Sequence, residues 1–383
     1  MIKLNRRRFL KCSLAAAGCT LAPKFLTDSN PLNFIPEAHA QTRATDLSHV
    51  EAMYYKKLDY KEVECQLCPR KCKVGNKERG YCGVRENEEG TYYTLVHSRV
   101  CSAGVDPIEK KPFFHYLPGT KAFSIATAGC NMNCKFCQNW QISQVRPEQV
   151  DNYDMPPEAV ARYAKANNCV SIAYTYSEPV VFYEYMLDCA KKGHEHGIKS
   201  VIVTAGYIEH DPLVELCRNL DAVKVDFKGF TEKYYKEVCN CELKPIMDVL
   251  VDLKKIGIWY ELVYLMVPTL NDDMKDIKRM CEWMKTDLGT DVPLHFTRFH
   301  PMYLLKNLPP TPVSSLEKAH QIALDTGLNY VYIGNVPGHE AENTYCHNCK
   351  EKVVGRIGYT ITQMNIKDGK CKFCGQKIPG VWG

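Results

Sequence analysis

Three thiols close together in the middle of the chain are the residues best placed to do chemistry. Cys130-Asn131-Met132-Asn133-Cys134-Lys135-Phe136-Cys137 offers three metal ligands within eight residues and no fourth cysteine nearby. Cysteine thiolates at such spacing hold zinc or iron–sulfur centres, and a metal left incompletely ligated keeps a position for substrate or cofactor. Cys130, Cys134 and Cys137 are therefore expected to be catalytic metal ligands, in the sense that separates open metal sites from closed structural ones.

Two further groups flank them, so that 11 of the 20 cysteines are accounted for. Cys346-x2-Cys349 and Cys371-x2-Cys374 read as two knuckles closing a four-sulfur tetrahedron, with Gly375 freeing the second turn. That pattern predicts a zinc-ribbon-like module, with iron in a rubredoxin-like site as the alternative. About forty residues bury too little apolar surface to fold alone, so the metal would supply the missing stability. The first group, Cys65, Cys68, Cys72 and Cys82, lies among basic residues. Zinc is its first reading and an iron–sulfur cluster its second. Disulfides are the competing use of all three groups, although they ordinarily link distant loops of small secreted domains.

Such ligands act only if a framework holds them. After Cys137 the chain alternates strand-like and helix-like segments: Ser171 to Thr175, Lys199 to Thr204, Ala222 to Phe227, Trp259 to Met266, Pro293 to Phe299 and Tyr330 to Ile333, with periodic stretches such as Glu178 to His196 and Ile246 to Ile256 between them. With Phe123 to Thr127 these predict an α/β fold, a partial parallel (β/α) barrel whose working groups cluster at the carboxyl ends of its strands. The expected organisation is a leader over 1–40, an N-terminal four-Cys module and lead-in over 41–120, the barrel over 121–340 and the C-terminal module over 341–383. Glu178, Thr204, Gly206, Asp226, Lys228, His295, Arg298 and His300 are expected at one rim. Helix-cap or salt-bridge roles are the plain alternative for the charged ones.

The Cys-x3-Cys-x2-Cys spacing resembles that of the radical SAM superfamily. The resemblance implies that Cys130, Cys134 and Cys137 bind a 4Fe-4S cluster and leave the fourth iron to S-adenosylmethionine. A low-potential electron donor would then drive cleavage to methionine and a 5'-deoxyadenosyl radical, which takes a hydrogen atom from a substrate. Phe136 occupies the position of a ring beside the adenine. Glu178-Pro179 matches the end of the family's Gly-Gly-Glu-Pro segment, with Tyr176-Ser177 in place of the glycines. Asp226-Phe227-Lys228 and His300 resemble cofactor-contacting positions of pyruvate formate-lyase activating enzymes, and Thr204 closes the strand between them and Glu178. Wider segments, among them Asp106-Pro107-Ile108-Glu109-Lys110-Lys111-Pro112, Val267-Pro268-Thr269-Leu270-Asn271-Asp272-Asp273 and Tyr332-Ile333-Gly334-Asn335, look like the AmmeMemoRadiSam system radical SAM enzymes from about Glu51 to the end. That likeness implies Memo-like and AMMECR-domain protein partners and no settled substrate, which could be a small molecule or a protein glycyl site.

Composition narrows the alternatives. With 45% apolar and 24% charged residues the chain is an ordinary globular protein, and it has no apolar run long enough to span a membrane. Four of its five excess positive charges sit in the first forty residues, so the remainder is nearly neutral and no nucleic-acid footprint is expected. Asn5-Arg6-Arg7-Arg8-Phe9-Leu10-Lys11 followed by a modest apolar stretch resembles a twin-arginine export signal, with Ala38-His39-Ala40 or Cys19 as cleavage points. A periplasmic or lipid-anchored location is expected, a cytoplasmic one being the alternative. Lys110, Lys111 and His115 could face a substrate or serve packing. His194 and His196 read as a solvated helix end, and the isolated cysteines as small buried hydrophobes. The functional alternative to an enzyme is a non-catalytic iron–sulfur or zinc electron-transfer or scaffold protein.

Overall fold

The computed structural model describes residues 41–42 and 46–383, and the predicted export leader lies outside the described residues. Its centre is an eight-stranded sheet: β1 Ser102–Pro107, β2 Lys121–Ala126, β3 Ser171–Tyr174, β4 Lys199–Thr204, β5 Ala222–Asp226, β6 Trp259–Met266, β7 Leu294–Arg298 and β8 Val331–Gly334, paired in that order. β1 runs antiparallel to β2, and β2 through β8 are parallel. One helix crosses over between each parallel pair: α1 Pro157–Ala166, α2 Tyr183–Glu195, α3 His210–Cys217, α4 Leu243–Ile256, α5 Met274–Trp283 and α6 Val313–Thr326. Strict sequential order with right-handed crossovers winds a sheet toward a barrel. No pairing joins β1 to β8 among the described residues, so the barrel stays open along that side.

The strands form because they are short β-branched and aromatic runs buried on both faces. Every residue of β3 is buried, as are those of β4 apart from Lys199 and Val203 and those of β5 apart from Asp226. The helices supply the outer layer through apolar stripes. In α4, Ile246, Val249, Leu250 and Leu253 recur at three- and four-residue spacing and are buried, each contributing roughly 1.5–3 kcal/mol. Gly257, at φ 81°, ends that helix by donating its N–H to the Leu253 carbonyl. At the start of α5 the Asp273 side chain accepts from the N–H groups of Lys275 and Asp276.

Two small modules flank the barrel. The N-terminal one has a sheet of Tyr55–Lys57, Val63–Cys65 and Lys73–Val74 and another of Val50–Glu51, Arg85–Glu88 and Thr91–Thr94. The C-terminal one has a sheet of Thr344–Tyr345, Lys352–Ile357 and Thr360–Met364 and the hairpin Ile366–Lys367 with Lys370–Cys371. Its apolar side (Val353, Val354, Ile366, Ile378) packs on Phe114, Tyr330 and Tyr332, next to the amino-terminal ends of β6, β7 and β8. The apolar side of the C-terminal module therefore floors the barrel at its amino end, while Tyr359, at the turn of its hairpin, reaches the cavity at the carboxyl end.

Candidate functional site

The cysteine loop begins three residues after β2. Gly129 has φ 95°, and a Cβ there would lie 2.5 Å from Val84 Cγ1 and 2.8 Å from the Cys82 carbonyl oxygen, so only glycine fits. The loop is then pinned by its backbone: Asn133 N–H donates to the Cys239 carbonyl at 3.1 Å and Lys135 N–H to the Val238 carbonyl at 2.9 Å. Both acceptors belong to a π-helical turn, Tyr235–Cys239, that ends at Asn240 in the left-handed region (φ 55°). Inserted turns of this kind commonly mark functional sites. Gln144 also donates to the Met132 carbonyl, at 3.1 Å.

Cys130, Cys134 and Cys137 consequently line one cavity of about 470 Å³ at the carboxyl end of the barrel, together with Phe136, Glu178, Thr204, Asp226 and Lys228. A hydrogen bond from Cys239, with Lys228 nearby, holds the Cys134 sulfur below the ordinary thiol value, whereas burial pushes Cys130 and Cys137 up. Sulfurs so desolvated become thiolates only beside a positive centre. Sequence reasoning took Cys239 for a buried hydrophobe, because its partner is distant along the chain.

Glu178, 4% exposed, is the most constrained acid of the cavity. Its Oε1 accepts from Thr204 Oγ1 at 2.6 Å and Val180 N–H at 3.2 Å, and its Oε2 from Ala205 N–H at 2.8 Å. Burial pushes its pKa up despite these donors and the charge of Lys228, and it forms no direct ion pair among the described residues, so a cationic ligand group would find a carboxylate only partly compensated. The preceding Tyr176 has φ 67°, a conformation that favours the glycine the resemblance expects there. It is held by its hydroxyl on Asp106, by Asn139 donating to its carbonyl at 2.9 Å, and by Lys111 lying 4.3 Å from its ring. The tyrosine thus keeps the glycine-type backbone.

Asp226 ends β5 between two lysines, Lys224 and Lys228. Burial opposes its charge, but the two ammonium groups win and hold its pKa well below the carboxylate range. Lys228 Nζ also lies 5.6 Å from the Phe136 ring, which stacks on Tyr234 at 6.4 Å. The cavity is also lined by Lys110, Lys111, Tyr176, Asn335 and Tyr359. Asp106 accepts from Lys110 at 2.7 Å, from Ser124 at 2.8 Å and from Lys111. Burial lowers Lys111 to about 8 in spite of that partner. Lys224 and Tyr359 were not singled out from sequence; Lys224 sits inside a β-branched run and Tyr359 on a distant hairpin.

Two histidines, His300 and His295, depart from expectation, and His115 takes the packing role that was one of its two readings. His300 is exposed and does not line the cavity. His295 is the second residue of β7, hence near the floor and not the rim; it donates to Glu261 at 2.9 Å with both groups buried. His115 also belongs to the floor, with Nδ1 donating to the Pro379 carbonyl at 2.6 Å and Nε2 accepting from the Tyr332 hydroxyl. His194 and His196 pair with Asp221 and Glu158 at the surface.

The flanking cysteine groups differ in width. The sulfurs of Cys346, Cys349, Cys371 and Cys374 all lie within 4.8 Å of one another, with Cys346–Cys374 at 3.6 Å and Cys349–Cys371 at 3.7 Å. A tetrahedron about one zinc has sulfur–sulfur edges of about 3.8 Å. Each knuckle turns alike: Lys350 (φ 63°) donates to the Cys346 carbonyl and Gly375 (φ 76°) to the Cys371 carbonyl, both at 2.9 Å. Cys65, Cys68, Cys72 and Cys82 line a single separate cavity but do not close to this spacing.

A family model described as the radical SAM superfamily matches residues 124–284. An uncharacterised protein of Methanocaldococcus jannaschii is 45% identical over 330 residues, covering 86% of this chain and 98% of that one. The chain belongs to the radical SAM superfamily. It is also 23% identical over 160 residues to the pyruvate formate-lyase-activating enzyme of Clostridium pasteurianum, covering 41% of this chain and 66% of that one. The 4-hydroxyphenylacetate decarboxylase activating enzyme of Clostridium scatologenes is 23% identical over 132 residues, covering 34% and 41%. The superfamily implies a 4Fe-4S cluster and S-adenosylmethionine. The donor set fits them: three sulfurs face one cavity, and beside them stand the buried Glu178 carboxylate, which makes no direct ion pair, and the unpartnered buried hydroxyl of Ser177.

Proposed function

We propose that this radical SAM protein is an enzyme that reductively cleaves S-adenosylmethionine and uses the resulting 5'-deoxyadenosyl radical to abstract a hydrogen atom from a substrate, either a small molecule or a protein glycyl site. The observation that carries this reading is the three-sulfur cradle of Cys130, Cys134 and Cys137 opening into a cavity that also holds Glu178. The thiolates would hold three irons and leave the fourth open. Glu178, fixed by three donors, would receive the cofactor's amino group; Asp226 and Lys228 would hold its polar end, and the Phe136 edge would border the adenine. Tyr359, half exposed, lines the same cavity as Lys110 and Lys111, and a substrate would enter past it.

The test is anaerobic reconstitution with iron and sulfide, followed by dithionite and S-adenosylmethionine. 5'-Deoxyadenosine is the expected product; its absence with the cluster shown present would leave a carrier or scaffold instead. The reading includes zinc at the C-terminal tetrahedron, supported by its sulfur spacing. It also includes export by the twin-arginine leader and work alongside Memo-like and AMMECR-domain proteins, supported by the sequence motifs. Sequencing the amino terminus from fractionated cells, and co-purification with those partners, test these two parts.

A further inference from the structure

We propose that Cys65, Cys68, Cys72 and Cys82 hold a second iron–sulfur cluster, of the four-iron class and not zinc, which feeds electrons to the catalytic centre. The four thiols line one cavity, so they form a single site. Its width decides the metal. One zinc ion draws four sulfurs onto edges of about 3.8 Å, as at the C-terminal module. A cubane puts each thiolate on a different iron, which sets the sulfurs farther apart. Among the described residues only the C-terminal group closes to within 4.8 Å; the N-terminal group does not, and neither does the Cys130, Cys134 and Cys137 cradle. The N-terminal site has the openness of the cluster loop.

The walls independently call for an anionic occupant. Arg85, 1% exposed, lines the cavity, and its two terminal nitrogens bond to Met53 and Glu184 while its buried Nε has no partner. A sulfide or thiolate would accept from that N–H. Tyr81 N–H already donates to Cys72 Sγ at 3.5 Å.

Four protein ligands leave no open iron, so this cluster would carry electrons and bind no cofactor. Its position suits that role. Asn131 lines the N-terminal cavity while its neighbours Cys130 and Met132 line the catalytic one, and Arg70 Nε donates to the Asn131 carbonyl at 2.5 Å. The close approach of Gly129 to the Cys82 carbonyl brings the two loops into contact. One electron would enter from an external low-potential iron–sulfur or flavin protein, reduce the N-terminal cluster, and leave it oxidised again on passing to the catalytic centre, with no bond made or broken. Only this destination rests on the proposed function.

The first experiment uses the C130A/C134A/C137A full-length variant, which leaves the N-terminal module untouched, reconstituted anaerobically with iron and sulfide. About four irons and four sulfides per chain should remain, with a paramagnetic signal on dithionite reduction. Two irons, or zinc without sulfide, would overturn the cluster; neither result bears on 5'-deoxyadenosine formation by the unaltered protein. The second follows the unaltered protein by freeze-quench after mixing with reduced flavodoxin, the catalytic signal being the one that S-adenosylmethionine shifts. The unshifted signal should appear first, and the reverse order would refute the relay.

Discussion

The two ends of the barrel are built on opposite terms. At the carboxyl end the cysteines stand wide, a carboxylate is buried without a direct ion pair, and a tyrosine holds a glycine-type conformation. At the amino end the cysteines close to a tetrahedron and the buried polar groups are tied together. Glu261 accepts from Phe114 N–H at 2.9 Å, His115 N–H at 2.8 Å and His295, and these donors hold its pKa low although burial opposes it. Arg356 donates to the Phe114 carbonyl at 2.7 Å and to Thr344, whose hydroxyl meets that of Tyr332 at 2.9 Å. One end leaves polar groups unmatched for a ligand to complete; the other spends them on holding a module in place. Barrels in general separate function and stability in this way. Substitutions at the rim should therefore change chemistry, and those at the floor stability.

The largest expected effect is at the rim. Cys134→Ala should abolish 5'-deoxyadenosine formation and remove the catalytic iron while the zinc proposed at the C-terminal tetrahedron stays, as metal analysis would show. Loss of that zinc together with the cluster would mean that the ends are not independent. At the floor, Cys371→Ala should release zinc and cost roughly 3–5 kcal/mol, because a structural metal supplies folding energy to a module too small to stand alone. The thermal midpoint should fall while the catalytic iron remains. A variant with unchanged midpoint but no S-adenosylmethionine binding would reverse the assignment of the two ends.

His115 gives the floor a pH signature. Burial lowers its pKa from 6.5 to about 4, and the neutral ring is the form that both donates to Pro379 and accepts from Tyr332. Between those values the unfolded chain binds a proton that the folded protein refuses, so stability is full above pH 6.5 and is lost as pH falls toward 4. The loss is on the order of 3 kcal/mol, at 1.36 kcal/mol per pKa unit. Denaturant titrations across this window should show the decline, and His115→Gln should flatten it. An unchanged slope in the variant would show that another group sets the acid limit.

Much of the barrel was legible in the sequence because its strands are short apolar runs between periodic helices; Lys199–Thr204 and Trp259–Met266 match the predicted bounds and the others shift by one or two residues. The antiparallel edge strand Ser102–Pro107 was not legible, since Gly104, Asp106 and Pro107 read as a turn and its order comes from pairing with Lys121–Ala126. Height along a strand was harder than membership. His295 was expected at the rim because it neighbours Arg298 in sequence, yet at over 3 Å of rise per residue that separation carries it from rim to floor. Cysteine spacing identified three ligand groups but not their width, which depends on how far the turns hold the sulfurs apart.

Glu178→Gln is the smallest change that bears on the contrast. Its two oxygens accept from Thr204, Val180 and Ala205, and the amide would replace one acceptor by a donor. Turned toward Ala205, that amide faces an N–H; turned toward Thr204, it forces the hydroxyl to reverse and disturbs its bond from Gly206 N–H, 3.0 Å long. Either arrangement costs about 1–3 kcal/mol if nothing relaxes. Removing the charge has an opposite effect on folding, because burial penalises the ionised carboxyl. The two partly cancel in the ligand-free protein and add when a cation must bind. S-Adenosylmethionine affinity should thus drop about tenfold, near 1.4 kcal/mol, with the thermal midpoint nearly unchanged. Calorimetry on the reconstituted variant measures both quantities. Undiminished affinity with a lowered midpoint would place Glu178 among the groups that hold the barrel together.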